Sequence, residues 1–250
     1  MSGHSKWSQI KRQKGAADAK RGQLFTKLTR EIMIAAKEGG PSLESNFQLR
    51  LSVQKARDSN MPSENIERAI KRGSGSAETA DLAEVTLEGY GPSGIAVLIR
   101  ALTDNRNRAI QEVRRMFTRH SCSLGESGCV SWLFENKGLI TVENKNGDDE
   151  EVALLAIDAG ADDVKTGGEY VEVYTQPEDL EEIRRVIEQH RRVVAAELSL
   201  VPKSTVLLDE NKAAQALSFL DHLEELDDVQ RVYSNIDFSD ATLESLRSQT

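Results

Sequence analysis

The chain is poor in the residues that build metal centres, disulfide frameworks and membrane spans. It has two cysteines and four histidines in 250 residues. Cys122 and Cys129 lie seven apart with no histidine pair beside them, so they read as free thiols of a reducing compartment and not as zinc ligands or a disulfide. His4, His120, His190 and His222 are scattered without ligand spacing. No apolar run of about 7–15 residues follows the first basic residues, and none approaches the roughly 18 needed to cross a bilayer, which excludes a signal peptide and a spanning helix. A cytoplasmic location with no membrane partner is expected. Catalytic signatures are missing too: there is no G-x-S-x-G elbow, P-loop or H-E-x-x-H. The glycines of Gly89-Tyr90-Gly91-Pro92-Ser93-Gly94 open no helix and read as a turn, and the acids of Glu178–Glu182 read as a solvated helix start. No enzyme activity, cofactor, metal or small-molecule substrate is expected.

Charge is present in quantity and is unevenly divided. The formal net charge is -9, yet residues 1–75 hold 15 of the 32 Lys and Arg against 7 of the 41 Asp and Glu, a net of +8 that leaves -17 for the rest. A polyanion responds to the local field, so this division suggests a basic binding module on an acidic body. Lys6, Lys11, Arg12 and Lys14 all precede the first acid, Asp18, and Trp7 stands among them. Cations grip phosphates and an aromatic ring can stack on a base, which makes nucleic acid the expected partner. Trp7 fits a second role equally well, as the apolar anchor that docks the arm onto its own domain.

Periodicity then divides the chain. Leu24, Phe25, Leu28, Ile32, Ala35 and Ala36 recur at helical spacing until Gly39-Gly40-Pro41; further helices are expected over about Asn46–Asp58 and from Pro62 to Gly73. Gly73–Thr79 reads as a flexible linker. Val85–Leu87 and Ile95–Ile99 predict a hairpin, followed by a helix capped by Asp104 or Asn105 and a strand over Val130–Phe134. From Gly138 the order is strand, helix, strand, strand, helix, strand up to Val201, the βαββαβ order of ferredoxin-like domains. The expected class is α+β: a three-helix domain (residues 1–76), an α/β domain split between 77–134 and 203–240, a ferredoxin-like domain inserted at 135–202, and a flexible tail over 241–250.

Two cationic groups are the candidate sites. One is the arm with its helices: Lys6, Trp7, Lys11, Arg12, Lys14, Lys20, Arg21, Lys27, Arg30, Lys71 and Arg72. The other is Arg106 and Arg108 at a helix start, where unbonded backbone N–H groups attract anions; an ordinary exposed, capped helix accounts for them as well.

Several blocks carry a resemblance. Gly3-His4-Ser5-Lys6-Trp7, Asp18-Ala19-Lys20-Arg21-Gly22, Asn60-Met61-Pro62 with Asn65–Gly73, Glu88-Gly89-Tyr90-Gly91-Pro92 and Leu102–Arg108 together are similar to the YebC/PmpR family, whose mitochondrial relative is a translational activator of cytochrome oxidase. The resemblance runs from residue 2 to about 238. It implies a helical domain followed by two ferredoxin-like α/β domains, one inserted in the other, and a DNA-binding transcriptional regulator. It implies as an alternative a ribosome-associated factor that contacts ribosomal or transfer RNA and helps elongation through proline-rich stretches. Two departures stand out: Ser93 where the family commonly has a second glycine after the proline, and Ser121-Cys122-Ser123 where glycines are common.

Overall fold

The computed structural model describes residues 18–75, 82–144, 147–167, 170–239, 241–242 and 245, with side chains from Gly22 onward. The arm residues 1–17 and most of the expected linker and tail therefore lie outside the described residues. Helices α1 (Asp18–Gly39), α2 (Phe47–Asp58) and α3 (Ser63–Ser74) pack around Leu28, Ile32, Leu49, Val53, Ile66 and Ala69. Asn46 joins the first two: its side-chain N–H groups donate to Ala35 O and Gly40 O, while its oxygen caps α2 at Leu49 N. Helix α3 runs past the expected stop at Gly73 to Ser74, and Gly73 lies against the backbone of Met33, where a Cβ would come within 2.3 Å of a carbonyl oxygen.

Strands β1 (Ala83–Tyr90) and β2 (Ala96–Thr103) form the hairpin, and α4 (Arg106–Arg119) leads to the two-residue strand β3 (Ser123–Leu124). The chain next enters β4 (Phe134–Glu143), α5 (Asp149–Asp158), β5 (Asp163–Gly167), β6 (Tyr170–Thr175), α6 (Leu180–Glu188) and β7 (Val193–Pro202). It closes with β8 (Val206–Leu207), α7 (Glu210–Glu224), β9 (Val229–Ser234) and β10 (Ile236–Asp237), where β8 and β10 form a parallel pair. The second large sheet, β5-β6-β4-β7, is built wholly from consecutive elements and has the ferredoxin-like strand order. The first, β3-β1-β2-β9, places two hairpin strands in the centre and one helix-fed strand on each edge, so it reaches the same layout with permuted connections. On β2, Val97 and Ile99 face α4 and α7, while Ala96 and Leu98 face a smaller cluster with Val130, Phe134 and Tyr233. A strand covered on both faces loses polar alternation, as Ala96–Ile99 shows.

Val130–Phe134 is not a strand: Ser131–Leu133 is a 3₁₀ turn, and Phe134 opens a ten-residue strand that runs straight through Asn136-Lys137-Gly138. The sequence places the first strand of the inserted domain only from Gly138 onward. Gly138 is there because a Cβ would sit 2.2 Å from Thr175 Oγ1 and against Leu180.

Both departures from the family pattern fall at left-handed backbone, with φ of 59° at Ser93 and 55° at Ser121. A non-glycine residue there is strained, although glycine also has more unfolded freedom to lose. Ser93→Gly and Ser121→Gly should therefore each stabilise the protein by a net of about 0.5 kcal/mol, read as a raised denaturation midpoint. A lowered midpoint for both would show that the serines are held by more than their backbone.

Candidate nucleic-acid interface

Helix α7 ends at Glu224 and the chain continues as Glu225-Leu226-Asp227-Asp228, an acidic run just past a helix end, where carbonyls lack partners and cations are favoured. Helix α1 supplies the missing donors. Lys27 Nζ donates to Glu224 O; Gln23 donates to Glu225 O and, at 3.1 Å, to Asp227 Oδ1; Arg30 Nη1 donates to Asp227 O at 2.5 Å. Arg30 Nη1 also lies 3.2 Å from Asp228 Oδ1. Lys27 and Arg30, two of the expected phosphate contacts, thus tie the helical unit to the body.

Asp228 is 3% exposed and gathers further donors. Arg108 Nη2 reaches its Oδ2 at 2.8 Å, Thr103 donates to the same oxygen at 2.9 Å, and Arg108 also reaches Asp104 Oδ1 at 2.8 Å. The hydrogen bond to Asp228, and then that carboxylate's charge, hold the exposed Arg108 guanidinium more firmly protonated than usual. Asn105, not Asp104, caps α4 by accepting from Arg108 N at 3.1 Å. Arg108 is therefore engaged from both sides of the α4 start.

A second knot joins all three units. Lys55 Nζ of α2 meets Glu31 of α1 at 3.0 Å, and Arg231 of β9 lies 3.7 Å from Glu31 and 2.9 Å from Glu197 of β7. Burial works against each charge. Glu31 is nonetheless held below the usual carboxylate range by Lys55 and Arg231, and Arg231 is kept protonated by Glu197, whereas Lys55 is lowered by burial and by Arg231 despite Glu31. This cluster holds the units in place and leaves Lys55 little freedom to meet a phosphate.

Cations without such partners lie elsewhere. Lys71 and Arg72, in the last turn of α3, and Arg106, in the first turn of α4, are exposed and make no ion pair among the described residues. Lys20 and Arg21 begin α1 with side chains outside the description, and Lys6, Trp7, Lys11, Arg12 and Lys14 lie outside the described residues altogether. An open cleft of roughly 380 Å³ separates the helical unit from the first sheet. It is lined by Phe25, Thr26, Thr29, Arg30 and Met33 of α1, Arg72 of α3, and Leu82 and Asp104 of the body. The cleft therefore brings the helical unit's cations to the chain that leads into α4.

Residues 5–76 match the TACO1/YebC protein N-terminal domain, and residues 82–236 match the TACO1/YebC second and third domain. The chain belongs to the TACO1/YebC family. Relatives named "probable transcriptional regulatory protein" are 58% identical in Dehalococcoides mccartyi strain BAV1, covering all of both chains, and 50% identical in Thermotoga maritima, covering all of this chain and 99% of the other. The crystal structure of a conserved hypothetical protein from Aquifex aeolicus superposes with a TM-score of 0.82 at 48% identity, over 89% of this chain and 92% of that one.

In this TACO1/YebC chain, the cleft residues that charge counting does not mark are Phe25, Thr26, Thr29, Met33 and Leu82. Phe25 reads as core in sequence because it shares the stripe of Leu28 and Ile32, and it does pack partly against that core. Asp228 is likewise unmarked by counting cations. The signal that points to it is an acidic run at a helix end with no Lys or Arg in its last turn. Among the described residues no group of three or more His, Cys, Asp or Glu could hold a metal ion, and no helix is long and apolar enough to cross a membrane.

Proposed function

We propose that this protein is a non-catalytic, nucleic-acid-binding regulator of gene expression, with DNA-binding transcriptional regulation as its first reading. Residues 1–76 would be the binding unit, and the split α/β domain with its insert the acidic body. The name shared by its relatives supports regulation. The observation that carries binding is the cleft where Arg72 of the helical unit faces the chain leading into α4, with Lys71 exposed beside Arg72 and Arg106 exposed in the first turn of α4. Phosphates would be drawn to these cations while the acidic remainder repels nonproductive contacts.

One observation favours an RNA-binding translation factor as the second reading. Arg108, the α4 cation best placed at a helix start, is held by Asp104 and Asp228, which removes it from direct reading of base edges in a major groove. Sedimenting lysate through a sucrose gradient, with parallel titrations of promoter and scrambled duplexes, separates the two. Promoter preference with no ribosome comigration supports transcription; comigration without duplex preference supports translation.

Either reading requires Lys71 and Arg72. Lys71→Glu with Arg72→Glu should weaken binding and lower the slope of log affinity against log salt by about 1.8 on duplex DNA, or about 1.4 on a single strand, if both contact phosphates. An unchanged slope, measured by fluorescence anisotropy across salt concentrations, would move the binding face elsewhere.

A further inference from the structure

The composition of the cleft is unusual for a surface that only neutralises phosphate. Cations alone would suffice for that, whereas this cleft adds an apolar floor of Phe25, Met33 and Leu82 and an acidic wall, Asp104. Its hydroxyls are also oriented: Thr26 Oγ1 donates to Gly22 O at 3.1 Å and Thr29 Oγ1 to Phe25 O at 2.7 Å. Each threonine has then used its proton on the helix, and what it can offer a ligand is an acceptor. Asp104 is an acceptor as well, with one oxygen bound to Arg108. Arg30 commits only Nη1 to the α7 end, and Arg72 is exposed and makes no ion pair among the described residues.

A ligand matching this pattern has a flat apolar face, N–H donors on its edge and an attached anion. A nucleotide has all three. Roughly 380 Å³ lies at the small end of the range of small-ligand sites. A duplex, whose major groove alone is about 12 Å wide and whose bases are stacked inside, cannot present a base face to such a space. A base out of its stack can enter, resting on Phe25 and Met33 with its phosphate towards Arg30 and Arg72.

We infer that the cleft between α1, α3 and the start of α4 seats one unpaired nucleotide of a single-stranded nucleic acid. This rests on the nucleic-acid reading above and narrows its ligand from any phosphate backbone to a strand with an unstacked base.

The test uses the full chain and fluorescence anisotropy with three labelled probes: a mixed-sequence 12-mer RNA, the DNA 12-mer of the same sequence, and that DNA annealed to its complement. The single strands should bind at least about tenfold more tightly than the duplex at equal salt, by stacking on the cleft floor. Phe25→Leu keeps an apolar side chain but removes the ring, and should weaken single-strand binding about tenfold while changing duplex binding less than about twofold. Arg72→Ala should weaken all three. A single 2-aminopurine in the 12-mer should be quenched on binding to the wild type and much less by Phe25→Leu, a readout that a loosened core would not imitate when both proteins melt at similar temperatures. Equal affinity for duplex and single strand, with no effect of Phe25→Leu, would overturn the nucleotide seat and leave nucleic-acid binding standing. No binding of any probe would overturn both. The RNA and DNA 12-mers decide which single strand is preferred.

Discussion

Asp228→Ala is expected to lower stability by about 2–3 kcal/mol, moving the thermal midpoint down by about 5–10 °C for a chain of this size. The carboxylate is 3% exposed, accepts from Thr103 and Arg108, and faces Arg30. Removing it leaves the buried Thr103 hydroxyl without this acceptor, takes from Arg108 one of its two carboxylate partners and from Arg30 the charge it faces, a larger loss than the bonds themselves contribute in water. The effect should be local as well as global. Hydrogen exchange of α1 should accelerate most near Gln23–Arg30, because that stretch is held to the α7 end by donors whose alignment depends on this corner. Asp227→Ala is the control: its exposed carboxylate accepts only from Gln23 among the described residues, and a change within about 0.5 kcal/mol is expected. Equal effects of the two substitutions would show that Asp228 is not the anchor.

Glu88→Gln should be the other severe substitution, at about 2–4 kcal/mol near pH 7. Glu88 is 4% exposed, and its carboxylate accepts Gly128 N at 2.9 Å, Val130 N at 2.9 Å and Ser131 N at 2.8 Å. An amide in its place turns a donor towards backbone donors. Burial pushes this carboxyl up, but the three N–H groups outweigh burial and hold it below its ordinary value of 4.5. With the folded value lower than the unfolded one, the unfolded state takes up its proton first as pH falls. The stabilisation is therefore complete above the ordinary value and drains away as pH drops through 4.5 towards the lowered one. Between about pH 7 and pH 4 the wild type should lose more stability than Glu88→Gln. Parallel curves in urea denaturation would show that the clamp does not titrate. The same clamp fixes a loop whose Cys129 carbonyl accepts from both Tyr90 and the 64% exposed Trp132, so tryptophan emission reports its release.

Much of this architecture is local in origin and can be read from the chain. Helical spacing locates α1, α2 and α3, and alternating strand and helix signals locate the elements of the inserted sheet, because amphipathic periodicity reflects which face each element must bury. Where burial depends on contacts from afar, periodicity misleads. Gly138 reads as the start of a strand and lies in the middle of one, where Thr175 and Leu180 occupy the space a side chain would need. Ser123–Leu124 is too short to show alternation, and only pairing with Gly89 and Tyr90 makes it a strand.

For the site the division is sharper. The charge asymmetry of +8 against -17 is a property of the chain, and so are the family blocks. Which cations are available is not. Lys27, Arg30, Lys71, Arg72 and Arg108 are alike in sequence, each a cation on a helix. Folding brings the end carbonyls of α7 and the Asp228 carboxylate, some two hundred residues from α1, against Lys27 and Arg30, and it brings Arg108 to the same acid. Lys71 and Arg72 meet no such acid among the described residues. Composition and periodicity specify what a residue can do and which way it faces. Whether its charge is already answered depends on groups distant in the chain, and only the packed structure supplies them.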